Sequence, residues 1–369
     1  AESDRNHGGA LLEVLGANLT VDTCEIVGPW ANGIFVGNHS EFIITDSLIT
    51  SFWGAGIAIF PAKTDKIESA TIANCEIRSC HYQGIIIAKE TEVTVANCRI
   101  SGSAGHGIRI ENASPHISNN LIHRNGQSGI YANGKCAATI SGNVLWNNAQ
   151  NGISCWYANE NVIENNTFFE NGKEGLAILG DGSPIVKSNI FAGNPTAIVK
   201  AFINSKQVGA NALGEAEVSG NFFWKNERKI TKPGAEAGQP RLDVPLSQDS
   251  TVDVDPGFAD AGTGDFSLAE NSPARAKNVG ALNPPGPESP WKIQKEELLI
   301  LPDGNDRSSK SWKRPDTQAD ATTLADLRAS VLSWKGNITR LKDPSRKKLA
   351  IEEMQRVIDD LKLELEKAK

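Results

Sequence analysis

The sequence contains little of what marks membrane-spanning, nucleic-acid-binding or zinc-binding proteins. Its 369 residues include no run of about 18 apolar residues, so no segment suits a helix that crosses a membrane. The net charge of −7 gives no electrostatic support for binding nucleic acid. The six cysteines show no Cys-x-x-Cys or Cys/His spacing of the kind that binds zinc. The length allows one large domain and a small second unit.

Helical periodicity is missing from most of the chain, and a glycine-led unit recurs there instead. The unit reads Gly-Ile-x-Ile at Gly107, and its copies lie 22 to 28 residues apart. The alternation of apolar and variable residues within it is typical of a β-strand. Its glycines are Gly33, Gly56, Gly84, Gly107, Gly129, Gly152 and Gly175, and a degenerate copy begins at Ala197.

Two further recurring positions, which we call the second and third marks, repeat at the same spacing as the glycine-led unit, which is the first mark. The second mark is a Cys, Ser or Asn two residues before an apolar residue, and the third lies five residues beyond it. Three marks in phase at a fixed period of this length indicate a solenoid. The second mark occurs at Cys24, Ser47, Cys75, Cys98, Asn120, Asn143, Asn166, Asn189 and Asn221, and the third at Cys80, Ser103, Asn125, Asn148, Asn171, Asn194 and Asn226.

The three marks predict an all-β fold, a right-handed single-stranded parallel β-helix of about nine to ten coils. Each coil has three short strands, and strands of successive coils stack about 4.8 Å apart. An inward asparagine at each bend can bond backbone groups that the turn leaves unpaired, and the same residue on the next coil extends a ladder of amides. A β-sandwich of short strands is the alternative, but sandwiches do not keep three marks in phase.

Together, the Gly-Ile-x-Ile and Asn-x-Ile marks resemble the parallel β-helix (PbH1) repeat superfamily over about residues 10 to 280. That superfamily includes pectate-lyase-like and polygalacturonase-like enzymes, mannuronan epimerases and many carbohydrate-binding surface proteins. The resemblance implies the fold and a bacterial, secreted or cell-surface protein that deals with polysaccharide. It does not imply one activity, because many functions share this fold.

The N-terminal end of the predicted solenoid lacks a capping helix. Ala1 is preceded by neither an initiator methionine nor a signal peptide, which predicts a mature form or an excised fragment. Polar residues 1–9 lead directly into the first strand, at Leu12 and Val14. Because an uncapped coil exposes strand edges, we expect a missing upstream region or self-association to cover this end.

The C-terminal part of the chain changes pattern twice. The motifs Asp255-Pro256-Gly257-Phe258 and Gly264-Asp265-Phe266 resemble the closing segment of secreted β-helix proteins, which implies that residues 251–282 finish and cap the β-helix of residues 1–282. Residues 283–316 are rich in Pro, Gly and charge and predict a linker or strap. Apolar residues then recur at steps of three and four in residues 317–369, which predicts an α-helical hairpin.

The hairpin needs a third surface, because two helices bury little alone. We expect it to pack on an outward stripe of the solenoid or, alternatively, to join partner chains as an assembly module. The stripe would consist of Leu121, Val144, Ile190 and Phe222.

Four cysteines occupy positions that are Asn or Ser on other coils. We therefore expect Cys24, Cys75, Cys80 and Cys98 to be buried free thiols rather than members of disulfides. Four aspartates between Asp253 and Asp265 raise the question of calcium, but their spacing lacks a regular calcium-loop pattern. We predict no metal site and no cofactor, with calcium only weakly indicated.

Chemistry is expected on the outward face of the Gly-Ile-x-Ile strands, where the variable residues stack in columns. Rings that stack on sugars and cations that pair with uronates suit a polysaccharide. The predicted substrate-binding residues are Glu111, Asn133, Trp156 and Tyr157, beside Lys89, His106, Arg109 and Tyr131.

A polysaccharide lyase acting on uronate polymers is the enzymatic alternative. Its base and charge-neutralising groups would come from Lys89, His106, Arg109 and Tyr131. Gly105-His106-Gly107 and Arg109-Ile110 also resemble elements of polygalacturonases, but the paired aspartates that such enzymes need are missing from the neighbouring coils. The Asp-Pro-His-Asp element of mannuronan epimerases is missing too.

Overall fold

A computed structural model gives the structure of the chain over residues 10–28, 32–37, 40–61, 67, 70–89, 91–157, 159–202, 213–234 and 240–285. The chain divides into two compact units, residues 1–292 and 293–369, and all described residues belong to the first. The predicted hairpin and nearly all of the predicted linker lie outside the described residues.

Three sheets form the walls of a parallel β-helix, which confirms the predicted fold. The first sheet contains the Gly-Ile-x-Ile strands, and its strands are Ala10–Leu15, Asn32–Gly37, Ile57–Ile59, Ile85–Ala88, Ile108–Glu111, Ile130–Asn133, Ile153–Trp156, Glu174–Leu179, Thr196–Ala201, Arg228–Lys232 and Leu242–Asp243. All its neighbours pair in parallel except the last strand, which is antiparallel.

The other two walls run alongside it with the same stacking. The second sheet consists of Leu19–Asp22, Phe42–Thr45, Ala70–Ala73, Thr94–Ala96, His116–Ser118, Thr139–Ser141, Val162–Glu164, Ile185–Lys187 and Glu217–Ser219. The third consists of Glu25–Val27, Leu48–Thr50, Glu76–Arg78, Arg99–Ser101, Leu121–His123, Val144–Trp146, Thr167–Phe169, Ile190–Ala192, Phe222–Trp224 and Thr251–Val252.

The strand register explains the apolar positions of the repeat. Ile85 pairs with Ile108, which pairs with Ile130, so equivalent residues of successive coils lie directly above one another. Because side chains alternate across a strand, every second residue of each strand points to the axis. These inward residues form one continuous apolar core with almost no exposed surface.

The recurrent glycine marks a close approach of two coils. A Cβ atom added at Gly107 would lie 2.7 Å from the carbonyl oxygen of Gly129, and one added at Gly129 would lie 2.8 Å from that of Gly152. Such contacts are too short for a side chain, so the bend between the third and first sheets favours glycine at each level.

Asparagine ladders line two bends, as predicted. In each ladder the side-chain Nδ2 atom donates to the Oδ1 atom of the asparagine on the next coil, at 2.9 to 3.2 Å. Asn166 also donates to the carbonyls of Ile140 and Glu164, and so satisfies backbone groups that the bend leaves unpaired. The ladders are Asn120, Asn143, Asn166, Asn189 and Asn221, and Asn125, Asn148, Asn171, Asn194 and Asn226.

On each coil, one residue directly precedes the position of the first ladder. This residue adopts the left-handed backbone conformation on every coil from Asn97 to Gly220. Asparagine and glycine enter this region most readily, which explains their frequency there. The φ angle is 54° at Asn119 and 67° at Gly142.

The cysteines are all free, and three of the four predicted inward thiols are buried. Cys75, Cys80 and Cys98 lie in the core, whereas the prediction for Cys24 was wrong because its side chain is exposed. Cys24 belongs to the first described coil, where no earlier described coil packs against it. Burial raises the pKa of Cys80 to about 12, so this thiol stays protonated at neutral pH.

The closing segment lies along the side of the solenoid. Two antiparallel strands, Phe258–Asp260 and Asp265–Leu268, are joined by the 3₁₀ turn Ala261–Thr263 and followed by the short helix Pro273–Ala276. Their apolar residues cover the outer face of the third sheet. A Cβ atom added at Gly264 would lie 2.8 Å from the ring of Trp146.

This placement bears on two expectations. The stripe of Leu121, Val144, Ile190 and Phe222 does point outward, and Phe266, Leu268, Ala274 and Val279 of the closing segment cover it, so the stripe does not need the predicted hairpin to bury it. Thr251–Val252 of the segment forms the last strand of the third sheet, and the rest of the segment lies along the flank of several coils. Ala281 donates its backbone N–H to the hydroxyl of Thr167, which is three strands from the C-terminal end of that sheet. No helix among the described residues is long and apolar enough to span a membrane.

Candidate functional site

The outward columns of the first sheet are in the predicted register. Ile86 pairs with Arg109, which pairs with Tyr131 and then with Ser154. The second column is Ala88, Glu111, Asn133 and Trp156. We call Arg109, Glu111, Tyr131, Asn133, Trp156 and Tyr157 the outer patch, because these six side chains are half-buried on one face.

Both columns become apolar toward the N-terminal end. Phe35, Ala58 and Ile86 follow one another in the first column and form a small buried cluster with Ala55. Ile86 and Ala88 lie on the outward face of their strand, yet they are only 6% and 2% exposed. The outer patch therefore begins at Arg109.

Arg109 and Glu111 form an ion pair within one strand. They lie two residues apart, so both side chains project from the same face. The Nε atom of Arg109 donates to Oε1 of Glu111 at 2.8 Å, and one terminal nitrogen donates to the same oxygen. Nη1 of Arg109 donates to the Tyr82 hydroxyl at 3.1 Å. Burial lowers the pKa of Arg109, but Glu111 and nearby phenols raise it more, so the guanidinium stays charged.

A series of aromatic rings extends from this ion pair along the solenoid. The Arg109 guanidinium lies 5.8 Å from the centre of the Tyr131 ring. The rings of Tyr131 and Trp156 lie 6.0 Å apart, and those of Trp156 and Tyr157 lie 6.2 Å apart. Burial raises the pKa of Tyr131, and Arg109 opposes this only in part. The Tyr131 hydroxyl therefore remains a hydrogen-bond donor at neutral pH.

His106 lies beneath the outer patch. Its ring stacks on Tyr131 with centres 4.5 Å apart, and its Nδ1 atom accepts the backbone N–H of Ser128 at 3.1 Å. Burial, and then the charge of Arg109, lower the pKa of His106 to about 3. The neutral ring therefore carries its proton on Nε2, which leaves no lone pair available to a substrate.

The same structural role recurs at equivalent positions of other coils. Oδ1 of Asn151 accepts the backbone N–H of Glu174, and the Gln83 side chain accepts that of His106. His106 thus occupies a column of side-chain acceptors that fix the entry of each coil into the first sheet. A column of mixed residue types gave no signal in the sequence.

Lys89 lies at the edge of the face and is directed away from the rings. Its Nζ atom donates to the carbonyl oxygen of Pro61, on the preceding coil, at 2.9 Å. Tyr131 and Trp156 are on the following coils. The structure therefore groups seven of the eight predicted site residues and separates Lys89 from them.

Two polar side chains of the face behave differently from each other. Ser154 is only 2% exposed although it belongs to an outward column, and its hydroxyl bonds the Ser128 hydroxyl at 2.9 Å and Nδ2 of Asn151 at 2.7 Å. In the described part of the chain, the Oδ1 atom of Asn133 is buried and has no hydrogen-bond partner. Asn133 therefore has an unused acceptor between Glu111 and Trp156 in its column.

Tyr82 is a residue that sequence reasoning missed. It is 48% exposed and lies in the bend before the first-sheet strand of its coil, where it contacts Arg109 from one coil away. The repeat gives the level of such a bend residue but not the direction of its side chain.

Within the described ranges, no group of three or more His, Cys, Asp or Glu side chains is arranged to hold a metal ion. The closing-segment aspartates have local roles instead. Asp255 accepts the backbone N–H of Gly257, and Asp265 accepts the backbone N–H and hydroxyl of Ser267. Asp253 is paired with Lys229 at 3.4 Å.

Comparison with protein families identifies the same architecture. Residues 62–223 match the family model described as a right handed beta helix region. The chain is thus a right-handed parallel β-solenoid. No curated protein matches it.

Several solved structures are similar in part. A mutant of the periplasmic alginate epimerase AlgG aligns with 59% of this chain and 62% of its own, at 14% identity and a TM-score of 0.44. The A-module of the Azotobacter vinelandii mannuronan C-5 epimerase AlgE4 aligns with 71% of this chain and 84% of its own, at 10% identity and a TM-score of 0.38. PfbA, a surface adhesin of Streptococcus pneumoniae, aligns with 61% and 65%, at 13% identity and 0.26. Similarity this low assigns neither a substrate nor a reaction.

Proposed function

We propose that this right-handed β-helix protein binds a polysaccharide through the outer patch. The observation that carries the proposal is the series of half-buried rings of Tyr131, Trp156 and Tyr157, whose successive centres lie 6.0 and 6.2 Å apart on the first sheet. Aromatic faces present apolar area and polar edges at low entropic cost, as sugar rings require. A secreted or cell-surface location follows from the proposal, because such polymers lie outside the cell.

Each member of the patch has a distinct part in the proposed binding. Tyr131 and Trp156 form the stacking platform, held from below by His106. Glu111 supplies an oxygen acceptor for sugar hydroxyls beside the platform, and Asn133 lies next to it in the same column. Arg109 holds Glu111 in place and donates to Tyr82 at the edge of the patch.

Affinity electrophoresis in gels that contain a polysaccharide tests this proposal. We expect at least one polymer to retard the wild-type protein, and the double variant Tyr131→Ala/Trp156→Ala to lose most of that retardation. Trp224→Phe is the matched control, because it removes an indole from the third sheet and keeps an aromatic ring there. Equal retardation of the double variant and the wild type would show that the patch is not the binding site.

The lyase hypothesis receives less support from the geometry. Arg109 is paired with Glu111, and Lys89 donates to the carbonyl oxygen of Pro61. The Nδ1 atom of His106 already accepts a hydrogen bond from a backbone N–H. The raised pKa of Tyr131 disfavours its action as a base at neutral pH. β-Elimination leaves an unsaturated uronate that absorbs in the ultraviolet, so a rise in absorbance with alginate or pectate would restore this hypothesis.

We propose self-association as a second role, on the basis of the first strand. Among the described residues, Ala10–Leu15 pairs on one side only, with Asn32–Gly37. Leu11 and Leu15 are more than half exposed on this strand. An open strand edge with exposed apolar residues favours pairing with another chain. Light scattering tests it: a monomer mass at all concentrations would exclude the role.

A further inference from the structure

We infer that the outer patch selects uncharged, hydroxyl-rich polysaccharides and rejects polyuronates. This inference rests on the proposed function and adds the chemical class of the ligand. It depends on how the charges of the patch are paired, which the sequence alone does not show.

The single cation inside the outer patch is already compensated. Arg109 has five N–H donors, of which two are directed to Glu111 and one to Tyr82. A uronate carboxylate that bonded the two remaining N–H groups would lie beside Glu111, whose charge already offsets that of the guanidinium. Two carboxylates at one guanidinium repel each other, so binding a uronate there is unfavourable.

The other two basic side chains that were predicted for the site do not supply a positive charge to a ligand on the rings. His106 is buried against Tyr131 and bonds a backbone N–H through Nδ1, so it is neutral. The ammonium of Lys89 is directed to Pro61, on the coil farther from the rings. The chain as a whole carries a net charge of −7, which repels polyanions at a distance.

The free polar groups of the patch are acceptors, which suit hydroxyls. Both bonds from Arg109 end on Oε1 of Glu111, so Oε2 stays available. Oδ1 of Asn133, one coil away, also lacks a partner among the described residues, but it is buried, so Oε2 of Glu111 is the acceptor that the inference uses. A sugar hydroxyl can donate to this oxygen, whereas a carboxylate has no proton to donate at neutral pH.

The test compares neutral and acidic polymers in the same gel assay. Soluble glucan, mannan and arabinoxylan are the neutral probes, and alginate and polygalacturonate are the acidic ones. We expect the wild-type protein to bind at least one neutral polymer about tenfold more tightly than either acidic polymer, a difference of about 1.4 kcal/mol. Added salt should leave the neutral binding unchanged, because no charge pairing contributes to it.

The variant Glu111→Gln tests the cause. It leaves Arg109 uncompensated, so we expect it to gain salt-sensitive binding to polygalacturonate. Glu164→Gln is the matched control, because Glu164 is also paired with a cation, Lys187 at 3.0 Å, but on the second sheet. Far-ultraviolet circular dichroism and thermal unfolding check that both variants are folded.

Three outcomes would overturn the inference, and they are distinguishable. Preferred, salt-sensitive binding of a polyuronate by the wild type would leave the proposed function intact and refute the ligand class. A Glu111→Gln variant that gains no acidic binding would refute the charge explanation. No binding of any polymer would refute the proposed function itself, and the ligand class with it.

Discussion

The inward bends and the outer face of the first sheet use the same repeat in opposite ways. In the bends, each asparagine from Asn120 to Asn189 donates from Nδ2 to Oδ1 of the asparagine on the next coil. On the outer face, Arg109, Tyr131 and Ser154 occupy one column, yet each has different partners. A uniform column stabilises the stack, whereas a varied column can form a site.

The difference has a physical cause. A buried amide must satisfy every donor and acceptor within the protein, and stacked identical residues do this at every level. An outward residue can instead bond water or a ligand, so its identity is free to vary. Functional residues of a solenoid are therefore best sought where a column stops repeating.

The largest loss of stability is expected when one asparagine is removed from an inner ladder. Asn166→Ala would delete three bonds donated by Nδ2 and two accepted by Oδ1, and would leave buried carbonyls unsatisfied. We expect the free energy of unfolding to fall by about 3 to 5 kcal/mol. The measurement is the urea midpoint. Asn226→Ala, at the less buried end of the other ladder, should lower the free energy of unfolding clearly less than Asn166→Ala does. Equal losses would refute the claim that the stacked amide bonds stabilise the fold.

Removing the anchor of the closing segment should have the next largest effect. Phe266 is buried on the outer face of the third sheet and packs edge-on against Trp146 and Phe169. We expect Phe266→Ala to lower the free energy of unfolding by about 3 kcal/mol and to make the segment sensitive to protease. Protease cleavage mapped by mass spectrometry checks this. Protection equal to the wild type would show that the segment is held elsewhere.

The pH dependence of stability tests His106, which lies between the inner bends and the outer face of the first sheet. The pKa of His106 is lowered from 6.5 to about 3 in the fold, so the unfolded chain binds this proton more readily between those values. Stability therefore falls as the pH is lowered through that window, by about 2 kcal/mol from His106 between pH 6.5 and about 5.

The matched variant for that prediction is His106→Gln. Glutamine can accept the same backbone N–H, as Gln83 does one coil earlier, but it does not titrate. We expect its unfolding midpoint to vary less with pH than that of the wild type. His123, whose pKa burial also lowers to about 3, remains in both proteins and so cancels from the difference. An unchanged pH profile would contradict the assigned role of His106.

The smallest effect on stability is expected on the outer patch itself. Trp156 is half-buried and packs mainly on neighbouring rings. Trp156→Ala should lower the free energy of unfolding by about 1 kcal/mol, less than the changes above, since a half-buried ring outside the core leaves no closed cavity when it is removed. Thermal unfolding measures this. A loss as large as that of Asn166→Ala would mean that the patch is structural.

Much of the fold was predictable because the repeat fixes the level of every residue. The in-phase marks predicted the register of Arg109 with Tyr131 and the burial of Asn143, since both follow from stacking. Stacking also predicted Cys75 correctly. It failed at Cys24, because the coil of Cys24 has a described neighbour on one side only.

The repeat does not predict contacts that are made by segments outside the stacked coils. The burial of the outward stripe at Ile190 by Phe266 depends on a segment without repeats, and the Arg109–Tyr82 bond depends on the direction of a bend side chain. Pairing within the face, as between Arg109 and Glu111, depends on rotamers rather than on level. These contacts determine the charge of the site, so its chemistry was harder to predict than its position.

Hydroxyl-radical footprinting with and without a bound neutral oligosaccharide tests the central claim most directly. Mass spectrometry reads the oxidation of each ring separately, so it locates the ligand on the solenoid. The account predicts that oxidation of Tyr131, Trp156 and Tyr157 falls together when ligand binds, while Trp224 on the third sheet is unaffected. Unchanged oxidation of all three rings under conditions where the ligand is bound would contradict it.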